Sequence, residues 1–264
     1  MHNKIKVKKY NIKYHGKDYE IFIPKITDNS LWVGILESED GNGILGTYKG
    51  LQYFLKSLAL VSRNPYSIIY LPIKNFLIPD VTTVARQVLY GKECQLDIVI
   101  ASTKANLKIH KWKAIRNIIK SAPYQEIDIH YHFDKSKDLE RYEVDKMLNG
   151  SFNDVKAGTF FIVHSQAYLI ELANTINEWL EDLKRDKNYT LEYDERRNDF
   201  TFYDFFTNVW TFRLSKKYRS SSRFMCGFYL DCWDVAVMSR LLNRKVNLIS
   251  RKEALKLLKE DERI

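Results

Sequence analysis

The chain is predicted to be an α/β protein. N-terminal antiparallel strands lead into alternating strand-helix units with a mixed, largely parallel sheet, and an aromatic-rich α+β portion follows at the C-terminus. Three observations predict this class. Apolar residues alternate with polar ones on either side of a Gly-containing turn near the N-terminus. Short apolar runs then alternate with segments of helical period as far as residue 185. Beyond that point the chain is rich in Tyr, Phe and Trp. A period of two marks a strand with one buried face, and a period near 3.6 marks an amphipathic helix.

Lys4–Tyr14 carries Ile5, Val7, Tyr10, Ile12 and Tyr14, and Asp18–Ile23 follows across His15-Gly16-Lys17, a hairpin with its glycine in the turn. Leu31–Glu37 is expected as a third strand, stopped by the Asp40-Gly41-Asn42-Gly43 turn. Tyr48–Arg63 places Leu51, Phe54, Leu55, Leu58 and Val61 at helical spacing and stops at Asn64-Pro65. Tyr66–Leu71 and Leu96–Ala101 read as apolar strands, with a helix over Asp80–Tyr90 between them. Lys111–Ser121 is a helix, Ile127–Phe133 a strand, Asp138–Leu148 a helix, Thr159–His164 a strand and Gln166–Arg185 a long helix. Alternation at this spacing implies a sheet covered by helices.

Past residue 186 the segments Tyr189–Tyr193, Phe200–Phe206, Trp210–Leu214 and Phe224–Leu230 are aromatic and strand-like. Asp231–Leu242 reads as a helix, Lys245–Ile249 as a short strand and Ser250–Lys259 as a closing helix, with Ser250 and Glu253 forming a capping box. The expected organisation is an α/β domain over 1–186 and an aromatic, basic portion over 187–264, or one continuous domain over 1–264.

Composition restricts the partners. Against 33 Asp and Glu stand 42 Lys and Arg, a net charge of +9, which favours nucleic acid or an acidic protein surface. Three cysteines without a Cys-x-x-Cys pair fit neither a zinc finger nor a disulfide scaffold, and a reduced, cytoplasmic setting is expected. The longest apolar stretches are far too short to span a bilayer, so no membrane partner is expected. Gly41-Asn-Gly43 lacks the lysine and spacing of a phosphate loop, so no nucleotide cofactor motif is present.

Two segments carry candidate chemistry. Residues 126–134 read Glu-Ile-Asp-Ile-His-Tyr-His-Phe-Asp. In a strand, Asp128, His130, His132 and Asp134 fall on one face and Ile127, Ile129, Tyr131 and Phe133 on the other. Imidazoles and carboxylates so placed suit a divalent metal, Mn²⁺, Mg²⁺ or Zn²⁺, able to activate water or polarise a phosphate. His164 and Ser165, at the end of another expected strand, are predicted to lie near His132 and Asp134 at the edge where strand ends gather. His110 closes the strand-like run Leu107–His110. The second segment is Leu214–Phe224, where Lys216, Lys217, Arg219 and Arg223 supply charge and Tyr218 offers a stacking ring. Arg244 and Lys245 extend the basic area.

Two resemblances bear on these residues. Three strands, helix, strand, helix, strand, helix is similar in element order to the ribonuclease H fold. The carboxylates of that nuclease chemistry have no counterpart here: the opening strand carries lysines, and the Tyr66–Leu71 strand ends without an acid. The His130/His132 pair resembles the His-hydrophobic-His element of rolling-circle replication initiators and relaxases. That resemblance implies a metal on the pair and Tyr142, with Lys146 one helical turn on, as the attacking nucleophile. Tyr142 follows the pair more closely than the family's spacing has it.

The expected function is nucleic-acid binding or processing in a phage or mobile element, with metal-dependent phosphodiesterase or nuclease chemistry if the protein is an enzyme. The alternative is a non-catalytic inhibitor or adaptor that grips an acidic protein. Oligomeric state is not legible in these residues.

Overall fold

A computed structural model describes residues 3–25, 33–38, 41–73, 78–79, 96–135, 147, 150–185, 225–229 and 248–249. In chain order its elements are β1 (Asn3–Tyr14), β2 (Lys17–Pro24), β3 (Val33–Ser38), β4 (Gly41–Thr47), α1 (Tyr48–Arg63), β5 (Ser67–Leu71), β6 (Ile78–Pro79), β7 (Asp97–Ser102), α2 (Trp112–Ile119), β8 (Gln125–Tyr131), β9 (Phe152–Lys156), β10 (Thr159–His164), α3 (Gln166–Arg185), β11 (Met225–Tyr229) and β12 (Leu248–Ile249). They fall into two compact units that interleave along the chain. One comprises Met1–Thr27, Leu55–Pro72 and Asp97–Asn177, the other Asp28–Phe54, Ile73–Leu96 and Glu178–Ile264.

The first unit is built on a seven-stranded sheet in the order β8-β1-β2-β5-β7-β10-β9. The sheet is mixed, as expected, but it is not largely parallel. Only β2–β5 and β7–β10 pair in parallel, while β1–β2, β1–β8, β5–β7 and β9–β10 are antiparallel. The connection after β5 explains the difference. The chain leaves β5 at Leu71 and re-enters β7 beside it, with Leu71 opposite Ile98. The intervening residues thus return to the end they left, whereas a parallel pair needs a crossover to the far end.

Both faces of this sheet are apolar. On one, Tyr10, Ile12, Tyr19, Ile21, Ile68, Tyr70, Val99, Ala101, Phe161 and Val163 pack with Trp112, Ile115 and Ile119 of α2. Alternation sends the intervening residues Val7, Phe22, Ile69, Leu71, Ile98, Ile100, Phe160 and Ile162 to the other face, and these too are buried. The buried side chains of α1 and α3 within this unit, among them Leu58, Val61, Leu169, Leu172 and Ile176, supply apolar surface to match. Ser165 caps α3 by accepting a hydrogen bond from the Tyr168 backbone N–H at 3.1 Å.

One charged group is buried in the first face. Asp97 accepts a hydrogen bond from Tyr70 Oη at 2.7 Å and faces Arg116 Nη1 at 3.5 Å, and the same nitrogen donates to Thr159 Oγ1 at 3.2 Å. Burial, and next the Asp97 charge, push the Tyr70 hydroxyl far above its ordinary pKa, so it remains a donor.

In the second unit β3, β4 and β11 form a sheet in the order β11-β4-β3, and β6 pairs with β12. The likeness in element order to ribonuclease H therefore does not extend to the sheet, because β3 does not join β1 and β2. The Gly41-Asn42-Gly43 segment, expected as a turn, opens β4 instead, with Gly41 opposite Ser38. The expected helices over 80–90, 138–148, 231–242 and 250–259 lie wholly or almost wholly outside the described residues, as do the strands expected over 189–214.

Candidate functional site

The histidine strand forms over only part of its expected length, with Ile127, Ile129 and Tyr131 on one face and Asp128 and His130 on the other. β8 is an edge strand of the sheet and pairs with β1, setting Ile129 opposite Ile5 and Ile127 opposite Val7 on the buried side. On the open side His130, Asp128 and Glu126 stand opposite Lys4, Lys6 and Lys8. Lys4 Nζ reaches Asp128 at 3.3 Å, and Lys25 Nζ bonds both Glu126 oxygens at 3.0 and 3.1 Å. That hydrogen bond from Lys25 holds the Glu126 carboxyl below its usual range. The strand ends at Tyr131, so His132 and Asp134 follow it rather than continue its face. Asp134 pairs with Arg63 at 3.0 Å, and His132 Nε2 lies 3.7 Å from Asp134 Oδ1.

Among the described residues, no three His, Cys, Asp or Glu side chains are placed to hold a metal ion together. Asp128 and Asp134, two of the four expected ligands, are engaged by cations instead. Tyr142 lies outside the described residues, as do Lys216, Lys217, Tyr218, Arg219, Arg223, Arg244 and Lys245.

His164 does not join His132 and Asp134. It ends β10, and four strands lie between β8 and β10 in the sheet. Its ring is 2% exposed and packs on Tyr168 at 4.6 Å. Nε2 lies 3.1 Å from Asn153 Oδ1, and the buried Nδ1 has no hydrogen-bond partner. Burial pulls its pKa down to about 4, so the ring is neutral at pH 7. The expected strand ending at His110 is absent. Ile109–Lys111 forms a 3₁₀ turn that leads into α2, and His110 is exposed.

The chemistry most clearly placed by the fold lies around α2. From residue 98 to 125 there is no Asp or Glu, while Lys104, Lys108, Lys111, Lys113, Arg116 and Lys120 all occur. Arg116 turns inward to Asp97. Lys104, Lys108, Lys113 and Lys120 are exposed and Lys111 is half-buried. The helix leaves its polar side outward because Trp112, Ile115 and Ile119, at helical spacing, are drawn into the core.

The β1–β2 hairpin turn adds to this surface. Lys17 donates to the backbone oxygens of Ala105 and Asn106 at 3.3 and 2.5 Å, tying the turn to the loop before α2. Desolvation, then the charges of Lys108 and Lys111, lower the pKa of Lys17. Lys111 Nζ lies 5.9 Å from the Tyr14 ring centroid and Lys17 Nζ 5.1 Å from that of Tyr19. Among the described residues, no carboxylate pairs with Lys17, Lys108 or Lys111. Expectation from sequence centred the basic surface on 214–224 and passed over this one. The missing signal was the lack of any acid across 98–125.

No family model, curated protein or solved structure matches the chain. Among the described residues no helix is long and apolar enough to cross a membrane.

Proposed function

We propose that the protein binds nucleic acid through its phosphate backbone, using the acid-free surface of residues 98–125. The observation that carries this reading is the set Lys104, Lys108, Lys111, Lys113 and Lys120 on a segment without a carboxylate, in a chain of net charge +9. Cations without a carboxylate partner among the described residues gain most from releasing the counterions condensed on a polyanion. The basic residues from Lys216 to Lys245 add to the same role, and a phage or mobile-element setting fits a basic chain rich in Lys, Asn, Ile and Tyr. Binding of this kind needs no metal. A divalent ion at Asp128, His130, His132 and Asp134, which would add phosphodiesterase chemistry, would first have to displace Lys4 and Arg63.

The test is binding of the full chain to random-sequence single- and double-stranded nucleic acid over a range of salt. Replacing Lys108, Lys111, Lys113 and Lys120 by Ala is expected to shallow the slope of log affinity against log salt on duplex DNA by up to about 3.6, or about 0.9 per phosphate contact. No binding near physiological salt, together with tight capture of one acidic protein, would replace this reading with the inhibitor or adaptor.

A further inference from the structure

The β1–β2 connection is a two-residue turn, with Tyr14 opposite Lys17 and both central residues at positive φ, His15 at 48° and Gly16 at 72°. Such a turn matches the twist of the strands but suits Gly, Asn or Asp at both positions. A ring-bearing residue at the first position holds its backbone in the left-handed region against its Cβ. Strain of this sort is a pointer to function when the surroundings supply a use for the side chain.

They do so here. The His15 ring is exposed at the tip of the hairpin and meets the Tyr14 ring edge to face, with centroids 4.3 Å apart. Lys111 Nζ lies 5.9 Å from the Tyr14 ring, Lys17 stands opposite Tyr14 across the turn, and Lys108 and Lys111 are near enough to Lys17 to lower its pKa. Aromatic rings beside closely grouped ammonium groups are the two components that grip an unpaired nucleotide: one stacks on the base, the other meets the phosphate. In a duplex the base faces are already stacked on each other, so such a turn meets phosphates and groove edges but no free face to stack on.

We infer that the His15 tip, with Tyr14, Lys17, Lys108 and Lys111, is a stacking site for an unpaired base of single-stranded nucleic acid. The inference rests on the nucleic-acid reading above and narrows it to a ligand class. Desolvation, and after it the charges of Lys108 and Lys111, disfavour the Lys17 ammonium, and a phosphate beside these three lysines would offset that repulsion.

The experiment compares the full chain with His15→Gly and His15→Asn, using a labelled oligothymidylate and a random-sequence duplex of equal length. Both variants suit the turn, so thermal unfolding is expected at the same or higher temperature, which separates a binding loss from a folding loss. Affinity for the single strand is expected to fall at least about fivefold, the lower end of what one stacked base contributes, with duplex affinity nearly unchanged. Equal losses on both ligands, or none on either, would overturn the stacking site while leaving phosphate binding in place. Failure of the native chain to bind either ligand would overturn the nucleic-acid reading, and the stacking site with it.

Discussion

Among single residues, His164 shows how burial decides chemistry. Its ring is enclosed beside Tyr168 with one nitrogen unpartnered, and its pKa falls to about 4 from the usual 6.5. Between those values the unfolded chain binds more protons than the folded one, so acid favours unfolding and stability is lost as pH falls from about 6.5 toward 4. A shift of this size corresponds to about 3 kcal/mol. His164→Leu keeps the apolar volume and removes the titration. Denaturant unfolding at pH 7 and pH 4.5 is expected to show the native chain losing about 2–3 kcal/mol more than the variant over that interval. An equal acid loss in both would mean that His164 is protonated in the fold. Nothing in the residues around His164 distinguished it from a metal or catalytic histidine. The apolar run Phe160–Val163 before it signalled burial, but the distance to His132 depended on strand order.

At the level of elements, α2 is the part on which the proposed surface depends. Eight residues make a helix too short to persist alone in water, so it stands by its packing. Ile115 is fully buried among the sheet residues. Ile115→Ala is expected to cost about 2–5 kcal/mol in denaturant unfolding and to weaken nucleic-acid binding wherever the helix frays. A stability change under about 1 kcal/mol would show that the helix does not rest on that face. Several elements were legible in the order of residues. Tyr48–Arg63, Thr159–His164 and Gln166–Arg185 occur with the expected bounds, and β8 shows the expected alternation displaced by two residues. The misses have physical causes. β4 begins with Gly-Asn-Gly, which reads as a turn until β3 supplies its pairing partner. β9 is an exposed edge strand whose Phe152 and Val155 stand outward, so it has no apolar face to announce it.

On the scale of the whole molecule, charge is the property that reaches farthest. Five phosphate contacts from Lys104, Lys108, Lys111, Lys113 and Lys120 would give a slope near 4.5 on duplex DNA, so raising salt fourfold is expected to weaken binding by about 500-fold. A titration that shows affinity nearly independent of salt would remove the phosphate reading altogether.

The sequence by itself determined the α/β class, the hairpin, most of the strands and helices of the first unit and the cationic balance, because periodicity and net charge are properties of neighbours in the chain or of simple sums. The tertiary structure alone decided the strand order, the antiparallel meeting of β5 with β7, the enclosure of Asp97 by Tyr70 and Arg116, and the pairing of Asp128 with Lys4 across 124 residues. It also decided which lysines share a surface. Lys17 meets the backbone of Ala105 and Asn106 because α2 and the loop before it pack on the sheet face to which β1 and β2 contribute. Contacts of that range depend on how the apolar faces are buried together, and no local pattern of residues records that outcome.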